Sequence, residues 1–432
     1  MNFVEAIAKK RDGQELSRAE VEAFVRGAAD GQVGDEQLAA MLMAICIRGA
    51  SPAETQALVE AMRDSGALWR VAESFPAAVD KHSTGGVGDS VSLVFAPLVA
   101  AAGVPVVMMA GAGLGHTQGT LDKLATIPGF RPAAGRAQAM KLLERCGVCI
   151  AAQSEEIAPA DARLYLLRDL TGTVPSLPLI VASIMSKKLA VGARHLVLDV
   201  KCGSGAFVKT RAAALKLAEA LVEVAQRAGV EVRALISDMT QPLGDRLGCA
   251  SEVRAALEVL GGAGDPRLRE LTLELAVEAL ALAGRPREAA RAEFERRLAD
   301  GSARNAFDTL VRAHGGDPDP GRLPRPRSTA LASAPRAGYV AAVNAEALGW
   351  VAVSLGAGRR RRDDRVDPAA GLVVHARLGD AIGAGEPLAT LEVGDRDADV
   401  ESLRARAAAA FEIRASAPAS TPLVLERLGG SG

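Results

Sequence analysis

Between residues 77 and 240 the chain alternates short apolar runs with longer amphipathic ones. "FPAAVD", "VPVVMMA", "GVCIAAQ", "HLVLDV" and "EVRALISDM" have strand length. "SVSLVFAPLVAAAG" and "RAAALKLAEALVEVAQRAG" have helix length. Strands separated by helices pair through crossovers, so the pattern implies βαβ units and a largely parallel sheet covered on both faces. No other feature of the chain narrows its fold as far.

The flanking segments read differently. Residues 1–66 are consecutive helices: "LSRAEVEAFVRG" has Ser17 with Glu20 three places on, and "SPAETQALVEAM" has Ser51, Pro52 and Glu54 in the same arrangement. Between them "DEQLAAMLMAICIRG" is so apolar that burial on most sides is expected. Residues 155–192 are helical again, with a Pro-broken loop at "TVPSLPLI". The Pro- and Arg-rich stretch 316–337 reads as a surface connection, and short strands with Gly-rich turns follow it. The expected fold class is therefore α/β. A small all-helical lobe comes from 1–66 and 155–192, a large mixed or parallel-sheet lobe from 67–154 and 193–330, and a β-rich α+β unit from 331–432. A cleft between the two lobes is expected.

Composition removes several classes of partner. Among 432 residues the net charge is −1, so no electrostatic footprint for nucleic acid or an anionic membrane exists. Aromatic residues make up 3%, too few for base-stacking platforms. A small ligand is the remaining expectation. Five scattered cysteines fit a reducing compartment, and Cys146 and Cys149 read as small buried hydrophobes. The opening lacks an apolar stretch of signal-peptide length, and no run is long enough for a membrane span, so the cytoplasm is expected. "GRRRRDDR", Arg359 to Arg362 with Asp363 and Asp364, balances its own charge and reads as a solvated turn.

Two loops carry the chemistry of an anion site. In "DKHSTGGVGDSVSL" three glycines, Gly85, Gly86 and Gly88, lie between a strand and a helix. There, inward backbone N–H groups and a helix N-terminus favour phosphate. Lys81, Ser83 and Ser92 flank them. "AGAGLGHTQGT" repeats the design at the next strand, with Thr120 at the helix start. Neither is a Walker loop or a dinucleotide fingerprint. Loops at the carboxyl ends of adjacent parallel strands converge on one crevice. A third cluster, Arg168, Ser183 and Lys187, lies in the second helical segment. Ser183 and Lys187 are four apart on an apolar helix, so they share an inward face and suit a planar lactam such as a pyrimidine.

The stretches "DKHSTGGVGDSVSL", "GLGHTQGTLDKLATIPGF", "LRDLTGTVPSLPLIVASIMSKKLAVGARHLVLDVKCGSGAFVKT" and "SDMTQPLGDRLG" resemble the thymidine phosphorylase and pyrimidine-nucleoside phosphorylase family. The likeness continues into "GRRRRDDRVDPAAGLVVHARLGDAIGAGEPLATL". It implies a homodimer that phosphorolyses a pyrimidine (deoxy)nucleoside reversibly to free base and (deoxy)ribose 1-phosphate. Lys81, Ser83, Ser92, Thr120 and the position of Ala110 match phosphate-binding places. Tyr165, Arg168, Ser183 and Lys187 match the base-binding ones. His82 matches a histidine beside the 2-oxo group, and a protonated His82 is the expected general acid, with Arg168 and Lys187 stabilising the departing base. Inorganic phosphate is the co-substrate and no other cofactor is expected. Potassium held by some relatives would meet Gly88, Ser90 and Leu243 here, but the place of its glutamate is Ala255, so a strong cation site is not expected. Met108 stands where ribonucleoside-accepting relatives carry lysine, which tilts the expectation toward 2′-deoxynucleosides.

The chain also departs from that family. Its loop has Ala110 for a hydroxyl that contacts phosphate, Ala112 for an arginine, Gln118 for a glycine and Ala125 for a glutamate. Loss of Arg and Glu together leaves no orphan charge, whereas the missing hydroxyl removes a phosphate hydrogen bond. The alternatives are a phosphorylase of broader sugar specificity and a pyrimidine-binding paralogue without turnover. A transferase of the anthranilate phosphoribosyltransferase type, which shares the helical and α/β lobes, has neither the C-terminal unit nor "SKKLAVG".

Overall fold

The computed structural model describes residues 2–154, 156–361 and 364–430. Arg362 and Asp363 of the basic run lie outside the described residues.

The chain opens with four helices, α1 (Phe3–Arg11), α2 (Arg18–Ala29), α3 (Asp35–Arg48) and α4 (Pro52–Asp64). Ser17 with Glu20 and Ser51 with Glu54 both form complete capping boxes. Each hydroxyl accepts the N3 amide while the glutamate takes the cap's own N–H. Lys10 and Glu54 form a buried pair at 2.7 Å that ties α1 to α4. The expected burial of α3 on most sides is corrected: Leu38, Met41, Leu42 and Ile45 are buried, but Met43 and Ile47 face outward.

Next come α5 (Val71–Ser74), β1 (Val79–Ser83), α6 (Val91–Ala101), β2 (Val106–Ala110), α7 (Thr120–Leu124), α8 (Arg136–Cys146) and β3 (Val148–Ala152). The second helical segment is α9 (Pro159–Thr171) and α10 (Leu177–Val191). α10 packs on α4 and so completes the helical lobe. Then follow β4 (His195–Cys202), α11 (Arg211–Arg227), β5 (Glu231–Asp238), the short β6 (Arg246–Leu247) and helices α12 (Cys249–Leu260), α13 (Pro266–Leu282), α14 (Arg287–Ala299) and α15 (Ser302–Ala313). The remainder is β7 (Ser328–Ser333), β8 (Gly338–Val343), α16 (Ala345–Ala352), β9 (Gly371–Val374), β10 (Ala381–Ile382), β11 (Pro387–Val393), α17 (Val400–Ala409), β12 (Phe411–Arg414) and β13 (Val424–Leu428).

Strands β5-β4-β1-β2-β3 pair in parallel, as consecutive crossovers require. β13 adds antiparallel on the outer edge of β5, so the sheet is mixed. Units along the chain interlock: β13 leaves the C-terminal unit for the large lobe, and β6 leaves the large lobe to pair with β9. β7 pairs with β11, which corrects the reading of 316–337 as surface connection throughout. One core lies between the sheet, α6, α12, α13 and the C-terminal unit; a second joins the other sheet face to the helical lobe. A third cluster, with Trp69, Val107, Ile157 and Val191, fills the region where the chain passes between lobes.

The passages between lobes are tightly bonded. Ala67 N–H donates to Glu156 O at 2.6 Å and Trp69 N–H to Ala190 O at 2.7 Å. Arg70 and Ala158, both in these passages, are the described non-glycine residues with left-handed φ, at 52° and 46°.

Candidate active site

β1 organises the site. Side chains alternate along a strand, so Lys81 and Ser83 face one side and Asp80 and His82 the other. On the first side Lys81 Nζ donates to Ser92 Oγ at 3.2 Å, on the first turn of α6. Ser83 Oγ accepts from Gly85 N–H at 3.2 Å and donates to Asp89 Oδ2 at 2.8 Å. The expected phosphate residues Lys81, Ser83 and Ser92 thus meet around one Gly-rich turn.

Beneath them lies an ionic layer that the sequence did not single out. Asp199 Oδ2 is 2.7 Å from Lys201 Nζ and 3.8 Å from Lys81 Nζ, all three side chains buried. Ser237 donates to Asp199 Oδ1 at 2.5 Å, and Lys201 Nζ is 3.6 Å from Asp89. Burial lowers the Lys81 pKa below the ordinary lysine value, against the pull of Asp89 and Asp199. Burial works against the Asp89 carboxylate as well, but Lys201, Lys81 and Lys123 outweigh it and hold its pKa below the usual range.

The second Gly-rich loop closes over the first. Gly85 has φ +90°, and a Cβ there would meet Phe207 at 3.1 Å and Thr117 Oγ1 at 4.0 Å. Phe207 also lies near Gly115, so its ring spans both loops. A Cβ on Gly119 would come within 2.2 Å of the Ala112 backbone, which leaves glycine as the residue that fits. Gly119 caps α7, and Thr120 begins that helix as expected, making no side-chain hydrogen bond among the described residues. Ala110 ends β2 with no hydroxyl to offer. Ala112 and Ala125 are both exposed, where an ion pair contributes ~0–1 kcal/mol, so its joint absence is tolerated. Gln118 is buried, and neither its amide nitrogen nor its oxygen has a partner among the described residues.

The other side of β1 faces α10. Lys188 Nζ is 2.8 Å from Asp80 Oδ1 and 3.3 Å from Lys81 O. Lys187 Nζ is 2.6 Å from Asp161 Oδ2 and 3.2 Å from Ser183 Oγ, so the expected Ser183–Lys187 pair forms, with Asp161 added from α9. Arg168 donates to Leu179 O at 3.0 Å and Val174 O at 2.7 Å, and its guanidinium lies 5.7 Å from the Tyr165 ring centroid. Its Nε is buried without a partner among the described residues, which leaves a donor available.

The surroundings of His82 work against the protonated state that the resemblance implies. Burial is the largest influence and pushes its pKa well below the ordinary histidine value, and Lys188, Lys81 and Lys187 push the same way. These surroundings favour the neutral imidazole near pH 7. Met108, the expected sugar-side residue, lies on the neighbouring strand β2. It is buried in the large-lobe core with Val106.

Gly88, Ser90 and Leu243 do come together: Gly244 N–H donates to Gly88 O at 3.1 Å and Leu243 N–H to Val87 O at 3.1 Å. Ser90 Oγ donates to Glu252 O at 3.1 Å and lies 3.2 Å from Glu252 Oε2, while Ala255 supplies no side-chain oxygen. Lys123 places its ammonium 2.6 Å from both Asp89 O and Glu252 Oε2, which supplies the local positive charge. Burial disfavours that charge, but Glu252 and Asp89 outweigh it and raise the Lys123 pKa.

Comparison with known proteins follows the same division. Residues 4–66 match the glycosyl transferase family helical bundle domain, 76–304 the glycosyl transferase family a/b domain, and 339–414 the pyrimidine nucleoside phosphorylase C-terminal domain. The chain is 44% identical to the pyrimidine-nucleoside phosphorylase of Geobacillus stearothermophilus, over 90% of this chain and 92% of that protein. It is also 44% identical to the thymidine phosphorylase of Sinorhizobium medicae, over 98% of each. The structure of anthranilate phosphoribosyltransferase from Thermus thermophilus superposes with a TM-score of 0.59 at 20% identity, covering 72% of this chain and 99% of that one, a likeness of fold.

Proposed function

The chain belongs to the glycosyl transferase family that contains the pyrimidine-nucleoside and thymidine phosphorylases, and on that premise we propose how its own residues divide the work. It is a pentosyltransferase that phosphorolyses pyrimidine nucleosides reversibly to free base and pentose 1-phosphate. Phosphate is bound by Lys81, Ser83 and Ser92 and by the N–H groups of the two Gly-rich loops. The base is held by Arg168, Ser183 and Lys187, with Tyr165 beside Arg168. A phosphate oxygen attacks the anomeric carbon as the bond from that carbon to the base nitrogen breaks, and the electron pair leaves with the base. Charge on the departing base spreads to its 2-oxo group. There the neutral His82 donates an N–H hydrogen bond while Arg168 and Lys187 supply positive charge.

The alternation along β1 carries this reading: Lys81 faces Ser92 and its neighbour His82 faces the lysines of α10. Anion site and base site are then one residue apart on a rigid strand. Base release from thymidine, deoxyuridine and uridine, each with and without phosphate, is the test. Phosphate-dependent release that falls at least ~100-fold in Lys187→Ala is the expected result; phosphate-independent or absent release overturns it. Preference for the two deoxynucleosides is expected, since a methionine at position 108 offers no hydrogen-bond donor to a 2′-hydroxyl.

The protein is a homodimer in this reading. Val4 on α1, Ile47 on α3 and Leu170 on α9 are 62%, 71% and 74% exposed, with Met43 and Leu166 beside them in sequence and also exposed. α3 packs against both α1 and α9, and apolar residues exposed in this way on a helical lobe fit a two-fold contact with a second copy. Light scattering is expected to give twice the 44.6 kDa chain mass, reduced to one chain in Ile47→Glu with Leu170→Glu.

A further inference from the structure

The loop Gly111–Gly119 reads Gly-Ala-Gly-Leu-Gly-His-Thr-Gln-Gly. It has four glycines and no side chain of permanent charge, so it carries large backbone freedom and few anchors of its own. Its strongest anchor is Asp122, on α7. Asp122 Oδ2 accepts the Gly113 N–H at 2.6 Å. The other oxygen, Oδ1, accepts from Arg359 Nη2 at 2.9 Å. Arg359 follows α16 in the C-terminal unit, 237 residues along the chain from Asp122. Asp122 is largely buried and Arg359 partly so, which protects the pair from screening. The Asp122 hydrogen bond is the largest influence on Arg359 and raises its pKa.

The same unit walls the loop elsewhere. A Cβ on Gly349 would come within 2.4 Å of His116 O, so α16 lies directly against the loop backbone. The Trp350 ring centroid is 6.2 Å from that of His116, and His116 Nε2 bonds Gly205 O at 3.3 Å on the far side. The loop is therefore held between the large lobe and the C-terminal unit.

We propose that Arg359 is a positioning residue for phosphate: its guanidinium fixes Asp122, Asp122 fixes Gly113, and the loop is thereby held in the shape that presents its N–H groups to the anion. This rests on the reading of the two Gly-rich loops as the phosphate site. It assigns the C-terminal unit a part in phosphate binding although that unit contributes no residue that touches phosphate. The base site, on α9 and α10, stands outside this chain of contacts.

Steady-state kinetics of Arg359→Met, Arg359→Lys, Asp122→Asn and the Met/Asn double variant test it, with Ser92→Ala as reference for the site. Arg359→Met is expected to raise the phosphate KM about tenfold and leave the nucleoside KM within about twofold. Arg359→Lys keeps the charge without the planar fork and recovers part of the loss. The double variant loses no more than the worse single, because both break one link. An unchanged phosphate KM in Arg359→Met overturns the proposal, as does an equal rise in both KM values. If Ser92→Ala raises the phosphate KM while Arg359→Met does not, the positioning role alone fails. If neither raises it, the reading of the site fails with it. Should Arg359→Met not fold, Arg359→Lys decides by the same split between the two KM values.

Discussion

The Lys188 ammonium on α10 lies 2.8 Å from the Asp80 carboxylate on β1, with both side chains at least 95% buried. This pair ties the helix of the base-side residues to the strand of the phosphate-side residues. Removing one partner leaves a buried charge uncompensated. Lys188→Met is expected to lower unfolding free energy by about 3 kcal/mol in urea titrations, and Asp80→Asn with Lys188→Met to recover most of it. A double variant as unstable as the single would show that the pair is not what holds the two elements.

His82 links the site to pH. Its folded pKa is depressed, so between that value and about 6.5 the unfolded chain binds a proton that the folded one does not. Stability is then fully present above about pH 6.5 and falls as pH drops below it, by up to about 1.4 kcal/mol per pH unit for this one group. His116, His195 and His314 are also depressed, chiefly by burial, and steepen the fall. Denaturation at about pH 7.5, 6.5 and 5.5 is expected to show a shallower slope in His82→Gln than in the parent. In activity, a neutral His82 means that kcat/KM for nucleoside does not climb on acidification from about pH 7.5 to 6; a rise there would point to a protonated acid.

Ala110 marks the hydroxyl that this chain does without. A hydrogen bond to a charged group is worth about 1.5–3 kcal/mol, so Ala110→Ser is expected to lower the phosphate KM by roughly tenfold or more. Phosphate titration at saturating nucleoside measures it, and an unchanged KM removes the idea that this position limits phosphate use.

Gln118 buries an amide with both polar atoms unpaired among the described residues. Replacing such a group by an apolar one of similar shape removes a desolvation penalty of about 1–3 kcal/mol. Gln118→Met is expected to raise the Tm of the ligand-free protein, and a lowered Tm would show that the amide has a partner in solution.

What sequence could reveal here was local. The two capping boxes and the Ser183–Lys187 pair each depend on spacings of three or four residues, and each is present in the structure. Crossover connections likewise followed from short runs in order. The misreadings involve long separations. Arg359 sits in a run that balances its own charge, and nothing local distinguishes it from a solvated neighbour until Asp122 is brought beside it. Met43 and Ile47 lie in an apolar helix whose open face depends on where α1 and α9 pack. The state of His82 depends on three lysines, two of them more than a hundred positions away. Asp199 and Lys201 belong to the run "HLVLDVKC", but only the pairing of β1 with β4 puts them under Lys81.

β13 fills the outer edge of β5. That edge is therefore bare on the ribosome until residues 424–428 emerge, almost two hundred positions after β5 itself. Through that interval the nascent large lobe carries an unpaired strand edge, the feature by which chains most readily add to one another. Emergence of residues 424–428, rather than folding of any earlier segment, is what covers that edge.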